Sequence, residues 1–254
     1  MSVVNLTQEF PAAQKPQSAP TSVPSCICCG SARIQFRPIL WPALIKEWGL
    51  SPQEADYIDR QQGTICQDCG ASLRAMVLAL ATMNCWGYSG LFKDFVRRPF
   101  RRINILEINE AANLTRFLRR IRGHILVRYP EVDMMALPYG HAQFDLVIHS
   151  DTLEHVPDPI RALAECQRVL RPGGYCVYTV PTIVGRLTES RHSKPPSYHG
   201  VETENKTDYT VFTEYGADAW THPIRAGFAE ARILSIDYPA AQAITAVKRK
   251  KNGF

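Results

Sequence analysis

Residues 144–174, FDLVIHSDTLEHVPDPIRALAECQRVLRPGG, read as strand, loop, helix and turn in one uninterrupted run. Phe144 to His149 is short, apolar and β-branched, the pattern of a strand buried on both faces of a parallel sheet. Ser150 to Asp158 is then its carboxyl-end loop. Pro159 to Leu170 places Ile160, Leu163, Ala164, Gln167, Val169 and Leu170 at near-helical spacing, with proline in the first turn where its missing N–H costs nothing. Arg171-Pro172-Gly173-Gly174 stops the helix, and Gly174 to Val180 reads as the next strand.

Working outward, two CxxCG turns stand out. They are Cys26-Ile27-Cys28-Cys29-Gly30 and Cys66-Gln67-Asp68-Cys69-Gly70. The two-residue spacing lets both sulfurs of a turn reach one ion, and the glycine relieves the backbone where amides turn toward sulfur. Cys26, Cys29, Cys66 and Cys69 are therefore assigned as structural Zn2+ ligands, with Cys28 as a spare; the alternative is free thiols or a redox pair. Four thiolates leave no open coordination position. Between the turns, Ile39, Leu40, Trp41, Leu44, Ile45 and Trp48 form an apolar cluster, and Ser51-Pro52-Gln53-Glu54 is a capped helix start. Ala71 to Met83 reads as a helix with Leu73, Met76, Val77, Leu80 and Met83 on its buried stripe.

Length and composition frame these motifs. The 254 residues suffice for one α/β domain and a small appendage, and 45% hydrophobic with 21% charged residues is the balance of a soluble globular chain. No apolar run approaches the roughly 20 residues of a membrane span. The N-terminal stretch lacks a basic start followed by an apolar core, so no signal peptide is expected, and its Pro, Ala, Ser and Gln content predicts a disordered tail over 1–22. A cytoplasmic location follows, where paired CxxC spacings favour metal over disulfide. The net charge of +5 is mild, and part of it lies in Arg97, Arg98, Arg101 and Arg102 and part in Lys248, Arg249, Lys250 and Lys251. Without aromatic interleaving, these runs read as a solvated connection and tail, and nucleic acid is not expected as a partner.

The run from Phe144 to Gly174 resembles the second half of the nucleotide-binding domain of class I S-adenosylmethionine (SAM) dependent methyltransferases, in the UbiE-like or type 11 branch. A further stretch, Glu131 to Pro138 (EVDMMALP), is similar to the family's D-x-x-x-L-P-F segment. Ile103 to Ile108 followed by an expected helix at Ala111 to Ile121 resembles its first motif, an acidic residue and a glycine-rich turn. Glu107 matches the acid, while Asn109, Ala111 and Asn113 stand where glycines would be. The resemblance implies an α/β, Rossmann-like sheet. Only Gly123 to Pro130 separates the first helix from Glu131, so the sheet is expected to be shortened by one strand-helix unit.

By the same resemblance, SAM would contact Glu107, Asn109, Ala111, Glu131 in place of a missing ribose acid, Asp133 on the adenine side, Met134 along the ring, and His149 and Ser150 below the sulfonium. His155 is a candidate base or a residue that holds its loop, and Asp151 a second candidate. The long polar segment Thr182 to Thr210 lies after a central strand and offers Tyr198 and His199 for acceptor contact. Phe212 to Phe228 reads as a helix, and Ala231 to Asp237 with Ala241 to Val247 as a closing strand pair. The expected organisation is a tail over 1–22, a zinc-ribbon and helical cap over 23–98, and a methyltransferase-like domain over 99–254. Two functions are compatible: methyl transfer to a small-molecule acceptor, or an inactive methyltransferase-like scaffold that binds a protein partner through its zinc module.

Overall fold

The computed structural model describes residues 23–98, 102–197 and 210–250, with the backbone of 17–18. The expected disordered tail otherwise lies outside the described residues.

The N-terminal part begins with a small antiparallel sheet, β1 (Gln17–Ser18), β2 (Ile34–Phe36) and β3 (Thr64–Cys66), in which Ile34 pairs with Cys66. Between β2 and β3 run helices α1 (Pro42–Glu47) and α2 (Pro52–Gly63). Ser51 caps α2 as its sequence predicts: its hydroxyl accepts from the Glu54 N–H at 3.2 Å while the Glu54 carboxylate accepts from the Ser51 N–H at 2.7 Å. Such reciprocal caps satisfy two amides that a helix start leaves bare.

Helix α3 (Leu73–Asn84) follows, capped by Ser72, whose hydroxyl accepts from the Ala75 N–H. Leu73, Ala75, Met76, Val77, Leu78 and Ala79 are all fully buried. A helix apolar on every side must be covered on every side. It lies against α2 on one side and against the strand pair that closes the main sheet on the other. The sulfur-bearing turns and the strands Ile105, Leu146 and Val177 consequently belong to one continuous apolar core.

The main sheet is built from β4 (Asn104–Ile108), β5 (Gly123–Val127), β6 (Phe144–Ser150), β7 (Leu170–Thr179), β11 (Glu230–Ile236) and β12 (Ala241–Val247). Among the described residues its order is β11-β12-β7-β6-β4-β5, with β5, β4, β6 and β7 parallel and the β12-β11 pair antiparallel. Strand β5 leads to β6 through turns alone, with neither helix nor strand between them. Helix α6 (Pro159–Val169) connects β6 to β7, its Asp158 side chain accepting from the Arg161 N–H at 3.0 Å. A second core of Leu106, Val147, Leu163, Cys166, Val169 and Tyr178 fills the space under it.

Three expectations change. The helix read over Ala111 to Ile121 is a 3-10 turn, Ala112–Leu114, and a single helical turn, α5 (Thr115–Leu118), because Glu107 holds the Ala111 N–H and the Thr115 hydroxyl. Helix α4 (Phe92–Phe95) packs its Phe92 ring edge-on against Phe117. The strand expected from Gly174 starts at Leu170, because Leu170 already pairs with Phe144 ahead of an irregularity in which Gly173 takes a φ of 79°. The helix read over Phe212 to Phe228 is a strand, β10 (Thr213–Gly216), and a short helix, α7 (Thr221–Arg225). Two short strands, β8 (Thr182–Ile183) and β9 (Glu189–Ser190), pair with β10 on either side, and this tertiary pairing overrides local helical spacing.

A shared core predicts a single unfolding transition. Leu78→Ala should lower stability by roughly 2–5 kcal/mol, with tryptophan fluorescence and far-ultraviolet circular dichroism shifting together in urea; two separated transitions would contradict the shared core.

Candidate active site and metal centre

The Sγ atoms of Cys26, Cys29, Cys66 and Cys69 all lie within 4.8 Å of one another. Cys26 and Cys69 are 3.5 Å apart, Cys29 and Cys66 3.6 Å. Four sulfurs about 2.3 Å from a tetrahedral zinc ion stand about 3.8 Å from each other, so the donor set and its spacing fit that ion. The two turns are built alike. The Gly30 N–H donates to the Cys26 carbonyl at 2.7 Å and the Gly70 N–H to the Cys66 carbonyl at 2.8 Å, with positive φ at both glycines (85° and 72°). Cys28 is buried and outside the cluster.

The second turn docks on the loop after β4. The Gly70 carbonyl accepts from Asn113 Nδ2, and the Cys69 carbonyl accepts from Arg116 Nη1 at 3.0 Å. Any Cβ on Gly70 would sit 3.0 Å from Asn113 Nδ2.

The loop itself keeps an unusual backbone. Asn109, Glu110 and Ala112 have φ of 55°, 58° and 51°, values that favour glycine. Asn113 and Ala111, expected at glycine-like positions, are not among them; Ala111 has φ of −71° and is fully buried. The conformation is held from within. Glu107, fully buried, accepts from the Ala111 N–H at 2.6 Å and from the Thr115 hydroxyl through one oxygen, and meets His124 Nε2 at 2.6 Å through the other. Asn109 Oδ1 accepts from the Tyr129 N–H at 2.8 Å, and Glu110 pairs with Arg128 just past the end of β5.

At the carboxyl end of β6, Ser150 Oγ lies 2.8 Å from Thr179 Oγ1. Asp151 (φ 44°) accepts from Thr179 Oγ1 at 3.2 Å with one oxygen and pairs with Arg74 Nη1 through the other. Arg74 thus brings a largely buried cation from α3 to the strand ends, and burial pulls its guanidinium down to about 10. Among the described residues, Arg74 Nε and both oxygens of the buried Glu154 lack a hydrogen-bond partner. Burial pushes the Glu154 carboxyl up to about 7, opposed by the Arg74 charge.

The remaining expected site residues fall as follows. His149 is fully buried, its ring stacked on Tyr178 at 4.8 Å, and burial holds it neutral by lowering its pKa to about 3. Met134 packs in the second core, Asp133 Oδ1 accepts from the Met135 N–H at 2.7 Å, and Glu131 is exposed. His155 Nδ1 lies 3.0 Å from the Thr210 carbonyl, which ties its loop to the segment before β10. Tyr198 and His199 lie outside the described residues. Arg74 and Glu154 were missed by motif reading; Arg74 carried a signal, as the lone charge in the apolar run LRAMVLALATM.

The cap reaches over the same end. Arg186, after β8, donates to both Glu54 oxygens (2.9 and 3.0 Å) and to the Trp48 and Gly49 carbonyls, and Trp48 Nε1 donates to Ser197 Oγ at 3.2 Å.

Residues 87–178 match the sequence family described as "Methyltransferase domain". A probable S-adenosylmethionine-dependent methyltransferase of Mycolicibacterium smegmatis is 32% identical over 97 residues, 36% of this chain and 34% of that protein. A ubiquinone biosynthesis O-methyltransferase of Psychrobacter cryohalolentis is 46% identical over 52 residues, 20% of each chain. The chain thus spans about a third or less of the length of these relatives. Among solved structures, the sugar N-methyltransferase KedS8 of Streptoalloteichus aligns at a TM-score of 0.42 with 15% identity, over 62% of this chain and 85% of that one. Among the described residues no helix is long and apolar enough to cross a membrane.

The buried carboxyl makes stability depend on pH. Glu154 is raised from 4.5 to about 7, so the stabilisation from its protonated form is complete below about 4.5 and is lost as pH rises through 7. Urea melts should show that Glu154→Gln loses less stability than the wild type between pH 5 and 8; parallel pH profiles would contradict this.

Proposed function

We propose that this chain is a SAM-dependent methyltransferase acting on a small-molecule acceptor, with a structural zinc ion in its N-terminal cap. The observation that carries the reading is the glycine-like backbone at Asn109, Glu110 and Ala112, maintained without glycine by the buried Glu107 and lying, like the Arg74–Asp151 pair, at the carboxyl ends of the parallel strands. Ligands collect at this end of open α/β sheets. The similarity of residues 87–178 to methyltransferase domains supports the same reading.

The residues present fit the donor. Its carboxylate suits Arg74, whose Nε has no partner among the described residues; Glu110, paired with Arg128 just past the end of β5, and Glu131 are both exposed carboxylates open to the ribose hydroxyls; and Asp133 with Met134 would flank the adenine. Bound SAM supplies an electrophilic methyl group on a sulfonium. The chain's own task is alignment and exclusion of water. Asp151 holds Arg74 in place, the Ser150–Thr179 contact fixes the floor, and the cap joined through Arg186 and Trp48 covers the opening. Taking a proton from an O–H or N–H acceptor falls to Asp151 or His155 at the end of β6, the His155 Nε2 lying 3.7 Å from the buried Glu154. Tyr198 and His199 remain candidates for acceptor contact. The location we infer is cytoplasmic.

Zinc would act through structure. Its ligand Cys69 and the adjoining Gly70 hold Asn113 and Arg116, so the ion fixes the turn on which the cofactor site rests.

Metal analysis of purified protein should find one zinc per chain, and chelation should lower Tm; no zinc together with unchanged Tm in chelator would remove the metal centre. Calorimetry should show S-adenosylhomocysteine binding with Kd below about 1 mM, better than about −4 kcal/mol, weakened at least tenfold in Arg74→Gln. No heat and no Tm shift with either SAM or S-adenosylhomocysteine would overturn the enzyme reading in favour of a binding scaffold.

A further inference from the structure

The arginine run before β4 looks like a simple solvated connection in the sequence. The fold gives it a neighbour. Strands β4 and β5 are parallel with Asn104 opposite Gly123, and a Cβ on Gly123 would stand 2.5 Å from the Ile103 carbonyl. Arg102 and Arg122 therefore flank the same end of two adjacent strands. Arg119 and Arg120 close α5 at this end, and Arg97 and Arg98 follow α4, which the Phe92–Phe117 contact joins to α5. All six are exposed. Arg101 lies outside the described residues.

Little opposes this charge. No carboxylate occurs between Asp94 and Glu107 or between Glu110 and Glu131 in the sequence. Among the described residues, Arg102, Arg119, Arg120 and Arg122 form no ion pair with any carboxylate. Asp145, whose carboxylate accepts from the Asn104 N–H at 2.7 Å, is paired with Arg171 at 2.7 Å, and Asp94 is exposed. Arg98 lies over the Tyr88 ring, its guanidinium 4.3 Å from the ring centre. A dense single-signed cluster repels itself and costs stability unless a partner of opposite charge uses it. The basic side chains here are arginines, and the planar guanidinium fork matches phosphate oxygens two at a time.

We propose that this face, at the amino ends of β4 and β5 and opposite the strand ends that form the cofactor crevice, binds the phosphate backbone of nucleic acid without reading its sequence. The surface is independent of the methyl-transfer reading, since none of its residues touches the crevice. It would hold the protein on a nucleic acid and leave the crevice free.

The test uses full-length zinc-loaded protein and fluorescein-labelled probes of mixed sequence, a 20-base-pair DNA duplex and a 20-nucleotide RNA, followed by anisotropy. At 50 mM salt at least one should bind with Kd between about 1 and 100 μM, and four phosphate contacts on the duplex would weaken binding about a hundredfold by 200 mM. Arg119→Glu/Arg120→Glu should weaken binding at least tenfold and reduce the salt slope by about two. Its Tm, zinc content and S-adenosylhomocysteine affinity should match the wild type; if it fails to fold, Arg102→Gln/Arg122→Gln replaces it with the same expectation. No binding of either probe at 100 μM protein would overturn the proposal. So would undiminished binding by the variants, or equal affinity for poly-glutamate or for phosphatidylglycerol vesicles.

Discussion

The contact between the second cysteine turn and the loop after β4 organises this molecule. Two backbone carbonyls, of Cys69 and Gly70, accept from Arg116 and Asn113, and the loop they hold contains three residues in the left-handed region. Such residues are each unfavourable on their own and persist where surrounding structure over-determines them. Here the loop is clamped from both sides. Glu107 grips it from beneath through the Ala111 amide and the Thr115 hydroxyl, and the cysteine turn grips it from outside. The four-cysteine cluster and the candidate cofactor site are thereby parts of one construction.

Helix α3 extends the same logic. It emerges from the second cysteine turn, fills the space between the cap and the strands, and delivers Arg74 to Asp151 at the crevice. A charge on an otherwise apolar buried helix is costly unless paired. Its pairing with Asp151, a residue itself in the left-handed region, fixes the geometry at the end of β6. The cap is then closed on the far side by Arg186 on Glu54, so that the segment after β8 is tied to α2.

How much of this was legible in the sequence follows from what kind of interaction made each part. The strand from Phe144, helix α6 and the Ser51 cap were readable because each is decided locally, by apolar runs, a proline at the first turn and a Ser-x-x-Glu pair. The four cysteines were readable because ligand spacing is a local constraint. Helices were wrongly read over 111–121 and 212–228 because the first is shortened by the turn that Glu107 and Asn113 hold, and the second is diverted into β10 by partners about thirty residues away. Arg74 and Glu154 were overlooked for the same reason. Their importance comes from burial beside each other, which separates residues 80 positions apart in the chain from any motif. The arginine face also arises only when β4 and β5 align two distant runs.

The proposed function requires the second cysteine turn to hold the loop after β4 in a cofactor-binding conformation. The direct measurement is calorimetry of S-adenosylhomocysteine with Asn113→Ala/Arg116→Ala, which removes the two donors and leaves all four sulfurs. The expected result is one zinc per chain as in the wild type and affinity lower by about tenfold, about 1.4 kcal/mol. Wild-type affinity in a variant that keeps its zinc would contradict it.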